Sequence, residues 1–312
     1  MRIIFWGSSN FGIQCLEEIK KSYNLLAVVT APDKPRGRHL RILPGPVKLW
    51  AQKNNIMVLQ PETLSGNYEF YRILKELSPD LFVVISYGKI IPKEYLEIPK
   101  LGPLNVHPSL LPKFRGSAPM EWALLSGEKE TGITVIMMDE NIDTGKILSQ
   151  KSIPIDKEDD IFSLREKLSL ISFGVLQEAI HKIASGFRGE KQKGLSSYAR
   201  KLNKSDGRIN WSDSAISIHN KIRGLADWPG AFTFLATEKT EKMLKIKKAK
   251  VEDEQLICSK PGTFVDLNKK ILVACSIGIL NIEKLQEEGK KQQTALEYLN
   301  GHREILKFGF LK

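Results

Sequence analysis

Short apolar, β-branched runs separated by helix-spaced apolar residues most constrain what the first half of this chain can fold into. The runs are Arg2 to Trp6, Leu25 to Thr30, Leu81 to Ser86, Leu104 to Val106 and Thr134 to Met138. Ile13, Leu16 and Ile19 after the first run, and Phe70, Leu74 and Leu77 before the Leu81 run, recur at helical spacing. Strands alternating with helices predict a mostly parallel sheet covered by helices on both faces. Ligands of such sheets bind beyond the carboxyl ends of the strands.

The segment Asn105-Val106-His107-Pro108-Ser109-Leu110-Leu111-Pro112 lies at such an end. Asn105 and His107 are two residues apart, so an extended backbone presents both on one face of the sheet. A Pro-rich turn then holds the strand end open. The amide of Asn105 can donate to a developing oxyanion, and an imidazole such as His107 can move a proton near neutral pH. Asp143, in the loop after the Thr134 to Met138 run, can orient that imidazole. With no Ser or Cys nucleophile beside them, these groups suit direct acyl transfer to an acceptor that brings its own nucleophile. The apolar turn Ser109-Leu110-Leu111-Pro112 can line a slot for a flat ring.

Gly7-Ser8-Ser9-Asn10-Phe11-Gly12 follows the first strand but lacks the GxGxxG spacing, and Ile13 stands where a P-loop requires Lys. It reads as a strand-to-helix turn. The loop from Pro32 to Lys48 is different, because it sets Arg36, Arg38 and Arg41 among prolines and glycines on the strand-end side of the sheet. Loops there disproportionately carry function, and three arginines can grip phosphates.

Apolar residues from Ile161 to Ile183 trace one long amphipathic helix. A polar, Gly-rich, basic stretch follows, and from Ala231 onward short strands replace the alternation: Ala231 to Leu235, Met243 to Ile246, Gly262 to Asp266, Ile271 to Cys275 and Ile279 to Ile282. That pattern predicts a small, OB-like β-barrel. A final helix, Thr294 to Leu299, is expected to stop at Asn300-Gly301. The domain expectation is a Rossmann-like α/β catalytic domain over 1–187, a basic linker over 188–204 and a C-terminal barrel over 205–312.

The chain has 312 residues with 47 Lys+Arg against 36 Asp+Glu, a formal net charge of +11, which favours a polyanionic partner such as nucleic acid. Its three cysteines, Cys15, Cys258 and Cys275, show no CxxC spacing, so neither a disulfide framework nor a zinc site is indicated. No apolar run approaches the roughly 20 residues that a membrane helix needs. No signal-peptide pattern and no coiled-coil repeat is evident, so a cytoplasmic monomer is expected.

At Asn105 to Gly116 with Asp143-Thr144-Gly145, the sequence resembles the formyltetrahydrofolate-dependent formyltransferases. The resemblance extends through Ala31-Pro32-Asp33-Lys34-Pro35, Ser86-Tyr87-Gly88, Tyr198-Ala199-Arg200-Lys201-Leu202, Ile209-Asn210-Trp211, Trp228-Pro229-Gly230 and Pro261-Gly262-Thr263. It implies a formyl donor, 10-formyltetrahydrofolate, no metal, and catalytic roles for Asn105, His107 and Asp143. The turn Ser109, Leu110, Leu111, Pro112 matches the family's folate-binding loop, with Tyr87 a further candidate for the pterin slot. The branch acting on initiator methionyl-tRNA fits best, because it needs both the basic loop and the barrel. Arg36, Arg38, Arg41 and Lys201 are the tRNA-contact candidates, and Lys245, Lys247, Lys248 and Lys250 extend them into the barrel. An enzyme formylating an amino sugar nucleotide would share the catalytic motif without needing the arginine cluster. A formyltetrahydrofolate hydrolase or a non-catalytic RNA-binding protein would leave the barrel or the triad without a purpose.

Overall fold

The computed structural model describes residues 1–36, 41–238 and 240–312. It divides into two compact units: the first comprises Met1–Pro119, Glu130–Pro154 and Arg165–Arg200, the second Met120–Lys129, Ile155–Leu164 and Lys201–Lys312.

The strands of the first unit are β1 (Arg2–Gly7), β2 (Asn24–Val29), β3 (Lys34–Arg36), β4 (Arg41–Leu43), β5 (Met57–Leu59), β6 (Leu81–Ile85), β7 (Gly102–His107), β8 (Arg115–Gly116), β9 (Glu130–Met137), β10 (Lys146–Pro154) and β11 (Tyr198–Ala199). Seven of them form one sheet in the order β10-β9-β7-β6-β1-β2-β5. Pairing is parallel from β7 to β5 and antiparallel where β9 meets β7 and β10.

The five runs legible in the sequence are the central strands, which are β-branched because both faces are buried. Ile4 and Trp6 pack with Phe70 and Leu74 of α3 (Tyr68–Leu77), after α1 (Ile13–Ser22) and α2 (Pro46–Lys53). Ile3 and Phe5, alternating with them, are buried on the opposite face. The Gly7 to Gly12 segment is a turn into one 3-10 turn and α1, as its composition indicates. α4 (Lys93–Leu96) also belongs to this unit, whereas α5 (Pro119–Leu125) falls in the second unit from Met120 on, and the long α6 (Ile161–Ala184) is counted with the first unit from Arg165 on.

Residues 188–200, expected as linker, are stitched to the first unit. Glu190 exchanges backbone hydrogen bonds with Ile147, and β11 pairs with β8.

In the second unit α7 (Ala215–Gly224) precedes an antiparallel sheet of β12 (Ala231–Ala236), β13 (Glu241–Ile257), β14 (Phe264–Asp266), β15 (Ile271–Ala274), β16 (Ile277–Glu287), β17 (Gln293–Thr294) and β18 (Phe310–Leu311). The sheet closes on itself because Leu311 N–H donates to the carbonyl of Gly262, just ahead of β14, at 2.8 Å. A Cβ on Gly262 would lie 2.1 Å from the Leu311 carbonyl oxygen, and its φ is +87°. Only glycine fits that closure.

The last helix corrects the sequence expectation. Asn300-Gly301 does not end it, and α8 runs Ala295–Lys307 behind a Thr294–Glu297 capping box. Tyr298, Leu299 and Leu306 all enter the barrel core, so packing beyond Gly301 outweighs the local stop signal.

Candidate functional site

β7 ends at the site. Asn105 and His107 face the same way, opposite Ile136 and Thr134 of β9. The turn that follows contains a cis Leu111–Pro112 bond and is held by the two antiparallel strands. Thr134 Oγ1 donates to the Ser109 carbonyl (2.6 Å) and accepts from Leu111 N–H (3.1 Å) and from Gln150 Nε2 (2.7 Å). Ser109 Oγ donates to the Lys113 carbonyl at 2.6 Å, so the hydroxyl fixes the turn from within. Ser109 and Leu111 are buried, while Leu110 and Pro112 are half-exposed.

Beyond the turn the chain bends back over His107. Phe114 has φ +59°, and its carbonyl lies 2.9 Å from His107 Nε2. A carbonyl only accepts, so Nε2 carries a hydrogen in this contact and Nδ1 faces Asp143 Oδ2 at 3.5 Å. The ring is only 3% exposed. Gly116 allows the next approach, because a Cβ there would sit 2.6 Å from the Ala199 carbonyl oxygen. Its N–H donates to Asp143 Oδ2 at 2.9 Å.

Asp143 comes from the loop between β9 and β10, in left-handed backbone conformation at φ +54°. Its carboxylate meets three groups: Asn105 Nδ2 on Oδ1 at 2.9 Å, and Gly116 N–H and His107 Nδ1 on Oδ2. The structure therefore brings together the three residues that the sequence singled out. They form an amide donor, an imidazole and a carboxylate in mutual contact at a strand end.

Tyr87 follows β6, the neighbour of β7. Its ring is 4% exposed and stands edge-on to Trp6 at 5.2 Å. Burial pushes its phenol up to about 12, so it stays neutral, and its hydroxyl has no hydrogen-bond partner among the described residues. Arg36 and Arg41 are paired through their backbones across the β3–β4 hairpin, and Arg38 lies outside the described residues. Lys201 is exposed and opens the C-terminal segment of the second unit. Of the barrel lysines, Lys248 and Lys250 each lie 3.6 Å from Glu283.

Sequence reasoning missed Gln192, whose Nε2 donates to the carbonyls of Asp143 and Gly145. It also missed the Thr134–Gln150 brace. Among the described residues no group of three or more His, Cys, Asp or Glu side chains is arranged to hold a metal.

Comparison with known proteins gives the family. The chain matches the formyl transferase family model over residues 1–180 and the formyl transferase C-terminal domain model over residues 201–303. It is 44% identical to a methionyl-tRNA formyltransferase of Caldanaerobacter subterraneus subsp. tengcongensis, covering 97% of each chain. It is 43% identical to that of Dictyoglomus thermophilum over the same shares. Its fold is similar to a sugar 3N-formyl transferase, WlaRD, crystallised in the presence of dTDP and 5-N-formyl-THF, with TM-score 0.66 at 22% identity over 93% of this chain and 99% of that one. The phosphoribosylglycinamide formyltransferase of Bacillus halodurans shares TM-score 0.50 at 25% identity, over 59% of this chain and 96% of its own. The chain belongs to the formyl transferase family, among the methionyl-tRNA formyltransferases.

Proposed function

We propose that the chain transfers the formyl group of 10-formyltetrahydrofolate to the α-amino group of methionine carried on initiator tRNA, and so supports translation initiation. The observation that carries the chemistry is the mutual contact of Asn105, His107 and Asp143 at the end of β7. The full-length likeness to methionyl-tRNA formyltransferases supports the acceptor.

In this reading the free amine attacks the formyl carbon, a C–N bond forms, and the carbonyl electrons move onto oxygen. One hydrogen of Asn105 Nδ2 is engaged by Asp143, and the other is directed at that oxyanion. A preorganised donor of this kind is worth about 10²–10³ in kcat. The tetrahedral intermediate then collapses with loss of the N10 nitrogen. The proton that the amine sheds and the proton that N10 gains balance. His107 Nδ1 and Asp143 Oδ2 form the relay, because Nε2 is committed to the Phe114 carbonyl. The folate is assigned to the side of Ser109, Leu110, Leu111 and Pro112, with Tyr87 as a buried wall.

The tRNA acceptor arm is assigned to Arg36, Arg38 and Arg41 on the catalytic unit and to the barrel, with Lys201 at its start. The residue spans 1–187 and 205–312 serve as the catalytic and tRNA-binding parts. The assigned role in translation places the protein in the cytoplasm, where it is taken to act as a monomer.

Two measurements test these assignments. Offered 10-formyltetrahydrofolate with either methionyl-tRNA or an amino sugar nucleotide, the protein should formylate the methionyl-tRNA, and product only on the sugar would overturn the acceptor. Replacing Arg36, Arg38 and Arg41 together by Ala should flatten the dependence of log K for tRNA on log salt, by about 0.7–0.9 for each phosphate no longer neutralised. An unaltered slope rejects phosphate binding by this loop.

A further inference from the structure

The side chain of Gln192 is used completely. Its Nε2 has two hydrogens, donated to the carbonyls of Asp143 (2.8 Å) and Gly145 (2.9 Å). Its Oε1 has two lone pairs, which accept from Arg115 Nε (3.1 Å) and from a terminal nitrogen of the same guanidinium (2.6 Å). Arginine offers only donors and a carbonyl only accepts, so one orientation of the amide satisfies all four bonds, and turning it over breaks all four.

What those bonds hold is the loop carrying Asp143. Asp143 has φ +54°, a left-handed conformation uncommon outside glycine that Asp and Asn tolerate best. The turn directs its carbonyl to Gln192 and its carboxylate to Asn105, His107 and Gly116 N–H. The other side of the loop braces itself, since Asp139 Oδ1 accepts from Asn141 N–H and from Thr144 Oγ1. Arg115 meanwhile precedes Gly116, the residue whose N–H holds the same carboxylate. The three segments around positions 115, 143 and 192 are thus tied at one amide, although Gln192 lies 49 residues from Asp143 and 77 from Arg115 in the chain.

We propose that Gln192 is a positioning residue for formyl transfer: its amide pins the carbonyls of Asp143 and Gly145 and so holds the Asp143 carboxylate on Asn105 and His107. The inference rests on the formyl-transfer reading of the site. Gln192 acts on the reaction only through Asp143, and that distinguishes it from a residue that merely stabilises the fold.

The test is a double-mutant cycle in the full-length protein. Gln192→Met keeps the length of the side chain and removes all four bonds. Gln192→Glu keeps the acceptors for Arg115 and sets a carboxylate against two carbonyls. Each should lower kcat about 10- to 100-fold, the scale of a small misplacement of a catalytic group. KM for methionyl-tRNA and for 10-formyltetrahydrofolate should stay within about threefold. In an Asp143→Asn background, Gln192→Met should cost less than about twofold more, because coupled residues are not additive.

An equal loss from Gln192→Met in both backgrounds overturns the inference, as does an unchanged kcat. If Gln192→Met fails to give a cooperative melt, Arg115→Met carries the same cycle, since it leaves the Gln192 amide in place without the groups that orient it. Additive losses there overturn the inference equally. A wild-type protein unable to formylate any acceptor overturns the reading beneath the inference and takes the inference with it. An active wild type with additive variants overturns the inference alone.

Discussion

The strand-end site and the barrel use their polar groups in opposite ways. At the site, Asn105, His107, Asp143, Thr134, Gln150 and Gln192 bond to one another or to backbone within a partly buried network. In the barrel the interior is apolar, built from Leu244, Ile246, Val273, Leu280, Ile282 and Leu285. Its lysines point outward, where Lys248 and Lys250 share Glu283 and Lys270 meets Glu252. Exposed pairs of that kind contribute about 0–1 kcal/mol to stability. Their summed field still attracts a polyanion. On the proposed reading the difference separates two tasks: chemistry needs groups fixed before the substrate arrives, and holding a long anionic arm needs charge left in water.

His107→Ala puts this contrast to its most severe trial. It should lower kcat by about 10³-fold, within the range for loss of a proton-transfer group. Affinity for tRNA, measured by filter binding, should stay within a few-fold of wild type. Full turnover in that variant would remove the site from the catalytic account.

A smaller effect is expected from Gly262→Ala, because a Cβ 2.1 Å from the Leu311 carbonyl and a φ of +87° oppose barrel closure. The loss in urea unfolding should be about 3 kcal/mol. An unchanged midpoint would mean that the Gly262–Leu311 bond does not close the barrel.

The least effect is expected at Glu287, a carboxylate that departs from the barrel's rule of leaving charge in water. Glu287 is 7% exposed. Burial pushes its carboxyl up, but Lys290 and Lys242 outweigh that and leave it below the usual glutamate range. A carboxyl with a lowered folded-state value adds stability above its unfolded value of about 4.3, and loses it as pH falls through the folded value. Glu287→Gln should therefore be less stable than wild type at pH 7, and the gap should narrow as the pH drops below about 4. A gap independent of pH would contradict the assigned charge pairing.

Elements buried on both faces can be read from the chain, and elements set by their neighbours cannot. β1, β2, β6, β7 and β9 announce themselves by β-branched runs. β10 pairs with β9 along its length, yet it carries Ser149, Gln150, Lys151 and Ser152 and gives no such signal. Asn300-Gly301 looks like a helix stop because local backbone preference is all that a sequence window shows. Leu306, 2% exposed in the barrel core, carries α8 past it. The Ser86-Tyr87-Gly88 motif marks Tyr87 by family resemblance, but no pattern in the chain discloses its edge contact with Trp6. Gln192 sits in a polar stretch that reads as linker, and its partners lie 47 to 77 residues away.

Periodicity and residue type are local properties, so the α/β-then-barrel plan and the strand face shared by Asn105 and His107 follow from the chain alone, while Asp143 joins them in the sequence only through its loop position and the family resemblance. The fold was needed to show that His107 gives Nε2 to the Phe114 carbonyl and keeps Nδ1 for Asp143, and that Gln192 bonds to the Asp143 loop. A hydrogen bond depends on distance and direction between groups far apart in the chain, and only the folded backbone sets those.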